Sequence, residues 1–399
     1  MNTFQKLAKR YGHDIDRLKA GDEIQTTHTV ESLEALRDLL HDGSGDDERK
    51  QRLKDFNKNH EAEMDHRNTD IDAVHLRAAA MIHADHELHP DDKQMLSGMF
   101  PSKVRLVSAN DKAINSEWNL GTSTIVAHNI NTLTMTDAAY IVAYNTHLTL
   151  TVQTLVNNVT SSPVPYTVGL FGVAGAAGAA GTTGSAGSSG TNGSSAGTPS
   201  PGVCTGARTP SAGGAGKDGK AGGDGSQGGD GLPSLVAALS INALTGNPVA
   251  LYNQSGTGGS GGVGGAGGNG GSGGKGGDGC QSGCEGTSSA SGGNGGNGGN
   301  GGIGGDGGSG VNGQQINLNL GSGITSGQVT YSGVQARSGI GGVGGNGGSA
   351  GSGGSGGSSS GKHRSGGAHG NPGTNGSPGG NGDAGKFSGN AAPISGLPS

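Results

Sequence analysis

Apolar residues change their spacing three times along the chain. In residues 1–100 they recur at helical intervals. Phe4, Leu7, Ala8 and Tyr11 predict a short helix over 1–20. Thr29 is a candidate cap, followed on one face by Val30, Leu33, Leu36 and Leu40, with Gly43 and Gly45 as the stop. Residues 46–65 are mostly charged, with only Leu53, Phe56 and Met64 as large apolar groups, and predict a solvent-exposed helix. Ile71, Val74, Ala78, Met81 and Ile82 predict the best-buried helix, over 69–84, and Pro90 opens a last one over 90–99. These elements predict a small N-terminal helical domain over 1–101.

After Pro101 the spacing shortens to short β-branched runs separated by Thr and Asn. Val104, Leu106, Ile125, Val126, Leu133, Met135, Ile141 and Val142 belong to them, and Leu148, Leu150 and Val152 alternate along one face. They predict a β-rich domain over 102–171, wound as a β-solenoid or folded as a sandwich. Trp118, Tyr140 and Tyr144 are expected to seal its junction with the helices.

From Gly172 the apolar signal gives way to glycine. Residues 1–168 hold 6 of the 89 glycines, and the remainder hold 83. Glycine falls at every third position in six tracts: Gly172–Gly193, Gly213–Gly231, Gly258–Gly279, Gly292–Gly310, Gly341–Gly356 (with Ala350 replacing one) and Gly367–Gly385. Tracts three to five carry a second glycine in most triplets. Phase-locking at period three argues against a flexible linker, and the scarcity of Pro argues against collagen. The expected class is therefore multidomain, ending at 172–385 in a bundle of six antiparallel polyglycine-II helices, with a tail at 386–399. Tracts one and six should lie at the edge, three to five inside. Antiparallel order places loops 194–212, 280–291 and 358–366 at one end. The strand-like inserts 232–257 and 311–340 fall at the other end, beside the β-rich domain.

Charge and cysteines narrow the function. The formal charge of −6 resides in residues 1–118, and no basic stretch is long enough for a nucleic-acid footprint. No apolar run suggests a transmembrane segment, and no apolar region follows the polar Met1–Arg10, so a standard signal peptide is not expected. Cys204, Cys280 and Cys284 all fall in loops of the far end, as disulfide candidates. His83, His86 and His89 are weak candidates for a metal site. No phosphate-binding loop or nucleophile elbow is found, and no enzyme activity or cofactor is expected.

The phase-locked tracts joined by variable polar loops resemble the polyglycine-II sandwich of T-even-like phage tail-fibre tip adhesins. The resemblance covers residues 172–385. It implies that the far-end loops recognise a bacterial surface receptor, a cell-surface glycan or an outer-membrane protein. Arg208, Lys362, His363 and Arg364 are the receptor-binding candidates in those loops. The expectation is a non-enzymatic adhesin, extracellular, at the cell surface or on a virion. The alternative is a structural filament or extracellular matrix subunit that self-assembles as a homo-oligomer.

Overall fold

A computed structural model describes residues 1–197, 208–280, 286–359, 367–386 and 388–398. Seven helices belong to the N-terminal hundred residues: α1 (Thr3–Arg10), α2 (Ile15–Lys19), α3 (Leu33–Leu40), α4 (Asp46–Asn59), α5 (Glu61–Met64), α6 (Ile71–Ala84) and α7 (Pro90–Ser97). A strand, β1 (Glu23–Val30), interrupts them. The expected cap at Thr29 is corrected: Thr29 and Val30 end this strand, and Ser32 caps α3 by accepting from the Ala35 amide. Eleven further strands follow: β2 (Ser102–Ile114), β3 (Glu117–Thr122), β4 (Ile125–Asp137), β5 (Tyr140–Tyr144), β6 (His147–Val159), β7 (Val168–Phe171), β8 (Ala237–Gly246), β9 (Val249–Gln254), β10 (Ile316–Leu320), β11 (Val329–Val334) and β12 (Ile394–Ser395).

From β2 onward the strands alternate between two sheets. One runs β1-β2-β4-β6-β8-β10-β12 and the other β11-β9-β7-β5-β3. Every pairing is parallel except β1 with β2. Leu148, Leu150 and Val152 of β6 turn inward and join Leu239, Ile241, Leu251 and Leu318 in the core between the sheets. The opposite face of the larger sheet presents Val104, Leu106 and Ala127 to Leu33, Leu36, Val74, Ala78 and Ile82 of the helices. Tyr140 and Tyr144 do not seal the helical junction. Tyr144 stacks on Phe171, and Tyr140 meets Tyr166, which stacks on Tyr252, within the smaller sheet's aromatic cluster.

The expected fold class is thereby corrected. Regular structure among the described residues is mixed α/β, twelve strands in two sheets with seven helices, and the glycine tracts carry neither helix nor strand. The helices do not pack on one another alone. An amphipathic helix must bury its stripe, and here one face of the larger sheet helps to cover it.

The glycine tracts leave and re-enter the sheets. Tracts one, three and five leave just beyond β7, β9 and β11, and tracts two, four and six lead back to β8, β10 and β12. The strand register passes directly into them: Gly172 N donates to Gln254 O at 2.9 Å, and Gly175 N to Thr257 O at 2.8 Å. The same three-residue step links tract three to five (Gly261 N to Ile340 O, 2.9 Å), two to four (Gly216 N to Asn294 O, 2.8 Å) and four to six (Gly295 N to Asn371 O, 2.8 Å). A second amide in the triplet bonds across to a tract of opposite direction, as from Gly268 N to Lys220 O and Gly299 N to Gly268 O, both 2.8 Å. The result is two layers of laterally bonded tracts, one continuing each sheet. Bare glycine is required at these contacts: a Cβ on Gly268 would stand 2.1 Å from Ser185 O.

Candidate functional site at the far end of the glycine array

The three loop bases are drawn together where the array ends away from the sheets. Ala196 N donates to Asp278 O (2.9 Å), Ser211 N to Ser194 O (2.9 Å), Gly279 N to Ser358 O (2.9 Å) and Gly357 N to Ala290 O (2.9 Å). Side chains then cap the outward amides that the array leaves over. Asn192 Oδ1 accepts from Lys275 N at 2.9 Å, Ser195 Oγ from Asp278 N at 3.0 Å, and Asp278 Oδ1 from Ser358 N at 2.7 Å. Lys275 Nζ stands 2.8 Å from Asp278. The hydrogen bond from Lys275, then that from the Ser358 amide, lower the Asp278 pKa below its ordinary value. Ser289 closes the third base, donating from Oγ to Gly357 O at 2.6 Å and accepting from Gly367 N at 2.7 Å.

Of the receptor-binding candidates, Arg208 is exposed where tract two begins. Lys362, His363 and Arg364 lie outside the described residues, although the flanks at Ser358 and Gly367 belong to this end. Cys280 is buried, and its amide donates to Thr287 Oγ1 at 2.8 Å. Cys204 and Cys284 lie outside the described residues, and so does any disulfide they make.

The three histidine candidates for a metal point to different neighbours. His83 is buried against His147, Nε2 to Nε2 at 2.8 Å, with the rings stacked at 5.0 Å. Burial first, and the facing His147 second, push the His83 pKa well down, so one neutral ring donates and the other accepts. His86 is half-buried, and burial followed by Arg77 lowers its pKa. His89 accepts from Asp91 N at the start of α7 and stacks on His66 at 4.8 Å. Among the described residues no group of three or more His, Cys, Asp or Glu is arranged to hold a metal ion.

Sequence reasoning missed the buried charges of α4. The segment reads as solvent-exposed, yet Arg49, Arg52 and Phe56 are buried on one face of the helix. Arg52 pairs with Asp42 at 2.9 Å and Glu48 at 2.7 Å, and Arg49 with Asp85 at 2.6 Å. On α6, Arg77 is fully buried against Asp92 at 2.6 Å. Burial acts to raise the Asp42 pKa, but Arg52 and the Ser44 hydrogen bonds outweigh it and hold the carboxylate ionised. The spacing Arg49, Arg52, Phe56 is the available signal, since three and four residues return a helix to the same face.

No helix among the described residues is long and apolar enough to cross a membrane. Comparison with protein-family models, with curated proteins and with solved structures found no match in any of the three.

Proposed function

We propose that the chain is a non-enzymatic adhesin, at a cell surface or on a particle, in which the glycine array displays loops 194–212, 280–291 and 358–366 to a surface receptor. The observation that carries this reading is the convergence of all three loop bases on one array end, tied by backbone bonds at 2.9 Å. The array suits display. Its tracts of about 20 residues reach on the order of 60 Å, and rungs at every third residue resist bending. The sheets and helices form the root. Recognition uses hydrogen bonds and charge contacts from polar loops, with a cell-surface glycan or an outer-membrane protein as the partner. The location that follows is extracellular or at the cell surface.

The experiment exchanges residues 360–366 for a Gly/Ser loop of equal length, and in a second variant changes Arg208→Ala. Binding is read on a glycan array and on outer-membrane vesicles. The loop exchange should lose at least tenfold in binding with the melting profile unchanged. Binding that survives the exchange of each of the three loops in turn would overturn the reading.

A second reading, self-assembly through the array side, has its own observation. Val263, Ile340 and Val343 are exposed at 51, 73 and 62% on adjoining tracts, brought into register by Gly261 N to Ile340 O and Gly264 N to Val343 O. Exposed apolar groups in one patch are association surfaces. Sedimentation across concentration separates the readings: growth that Val343→Lys abolishes favours the filament.

A further inference from the structure

The helix-facing side of the larger sheet changes character across its width. Over β2 and β4 the row Leu106 and Ala127 is covered by helices. In the next row Ser108 and Asn129 are tied down: His13 Nδ1 bonds Ser108 Oγ at 2.8 Å, and Asn129 Nδ2 donates to Phe4 O at 2.8 Å. Over β6, β8 and β10 the same rows become polar apart from Ala238, with Thr149 and Thr151 on β6, Ser240 on β8, and Asn317 and Asn319 on β10. The hydroxyls of Thr149, Thr151 and Ser240 and the Asn317 amide nitrogen are buried with no hydrogen-bond partner. Leaving such a group unpaired is costly, and native interiors hold few of them. Two of the four, Thr151 and Ser240, border open space, where a partner that the chain does not supply could reach them.

A cavity of about 130 Å³ lies over this patch, lined by Thr151, Gln153, Ser240, Asn242 and Asn319, with Asp42 at its side. Gln153 and Asn242 occupy the position where ladder pairing skips one residue in β6 and β8. Asp42 contributes no free charge, because Arg52 and Ser44 already occupy its two oxygens. No Lys or Arg lines the space, so a charged ligand finds no counter-charge there. Hydroxyls and amides both donate and accept. The volume corresponds to about four waters or one sugar-sized ring.

We propose that this cavity binds a small neutral polyhydroxylated ligand of the monosaccharide or cyclitol class. Its hydroxyls pair with Thr151, Ser240 and the amides of Gln153, Asn242 and Asn319. The site sits on the sheet and is independent of the far-end loops.

The test is calorimetric titration and saturation-transfer NMR of the full chain with glucose, galactose, mannose, N-acetylglucosamine and myo-inositol. At least one should bind saturably. Asn242→Ala, at an exposed wall position, should weaken it at least tenfold with an unchanged melting point. Ser240→Ala should weaken it similarly while leaving the melting point equal or higher, since it removes a buried unpaired hydroxyl. Absence of saturable binding across the panel, or binding that survives both substitutions, would overturn the proposal. So would a crystal structure at saturating sugar with only ordered waters against Thr151 and Ser240.

Discussion

Leu148 and Gly268 are both interior residues, and they are interior for opposite reasons. Leu148 is fully buried between the sheets, where removing its side chain from water contributes about 1.5–3 kcal/mol. Gly268 is buried because it has no side chain, with Ser185 O standing 2.1 Å from where a Cβ would be. The sheet region therefore draws stability from apolar area. The array draws it from backbone bonds, each worth about 0.5–1.5 kcal/mol net, against an ordering cost of about 1–2 kcal/mol per residue. Such an array is marginal alone. It gains from being seeded in register by β7, β9 and β11, whose ladder runs on into the tracts. Dependence should run one way: the array needs the sheets more than the sheets need the array.

The largest expected effect tests the array. Gly268→Leu forces a side chain into the backbones of neighbouring tracts, with a cost above the usual overpacking range of about 1–3 kcal/mol. Differential scanning calorimetry should show the array's cooperative transition lost and the sheet's retained. Gly380→Ala is the control, since nothing lies within 4 Å of its Cβ position, and its melt should match the parent. If Gly268→Leu melts like the parent, close glycine packing is not what holds the array.

Leu148→Ala comes next. A cavity in the sheet core should cost about 3 kcal/mol. Because the sheets seed the tracts, both regions should lose stability together, read as parallel shifts in hydrogen exchange at Leu239 and Gly268. A shift confined to the sheet would break the proposed one-way dependence.

Acid acts through the sheet region. Burial holds His128 at about 3 and His13 and His147 at about 4, with His28 adding to the effect at His13 and Arg105 at His128. These rings fold neutral, while the unfolded chain binds protons below about 6.5. Their contribution is complete above pH 6.5 and is lost as pH falls toward 4. Thermal midpoints of the sheet region should fall across that window, and His128→Leu should make the slope shallower. The array has no buried histidine among its described residues, so its stability should fall with pH only as far as the sheets that seed it lose theirs.

The smallest effect concerns the outward amides of the array. Asp224 Oδ1 accepts from Ile303 N at 2.7 Å, and Asp218 Oδ1 from Asn297 N at 2.6 Å. Asp224→Ala should cost about 0.5 kcal/mol, visible as faster amide exchange at Ile303. An unchanged rate there would mean that water serves equally well.

Much of this was legible residue by residue. Thr146–Thr154 alternates as a strand must, and β6 covers it from His147 onward. Pro90 opens α7. The doubling of glycine in tracts three and four matches the bonding of tract three to tracts one, two, four and five, and of tract four to two, three, five and six, but tract five, also doubled and expected inside, bonds only three, four and six and lies at the edge of its layer. Two glycines per triplet leave two bare faces, and that is a local property. The far-end candidates were legible only as places in a loop order: Arg208 is exposed there, while Lys362, His363 and Arg364 fall outside the described residues. The polar patch at Thr151 and Ser240 was not legible, because its residues are 89 positions apart and meet only through strand pairing.

The sequence by itself determined the periods: 3.6 in the helices, two in the strands and three in the glycine tracts. Each follows from side-chain size and polarity along one stretch of chain. Tertiary structure decided what covers each face. It laid the N-terminal helices on one face of the larger sheet, buried Arg49, Arg52 and Arg77 against carboxylates, and chose the partners of the strand-like inserts, β8 with β6 and β10, and β9 with β7 and β11. Those outcomes depend on desolvation and on pairing between residues distant in sequence, and no local pattern records either.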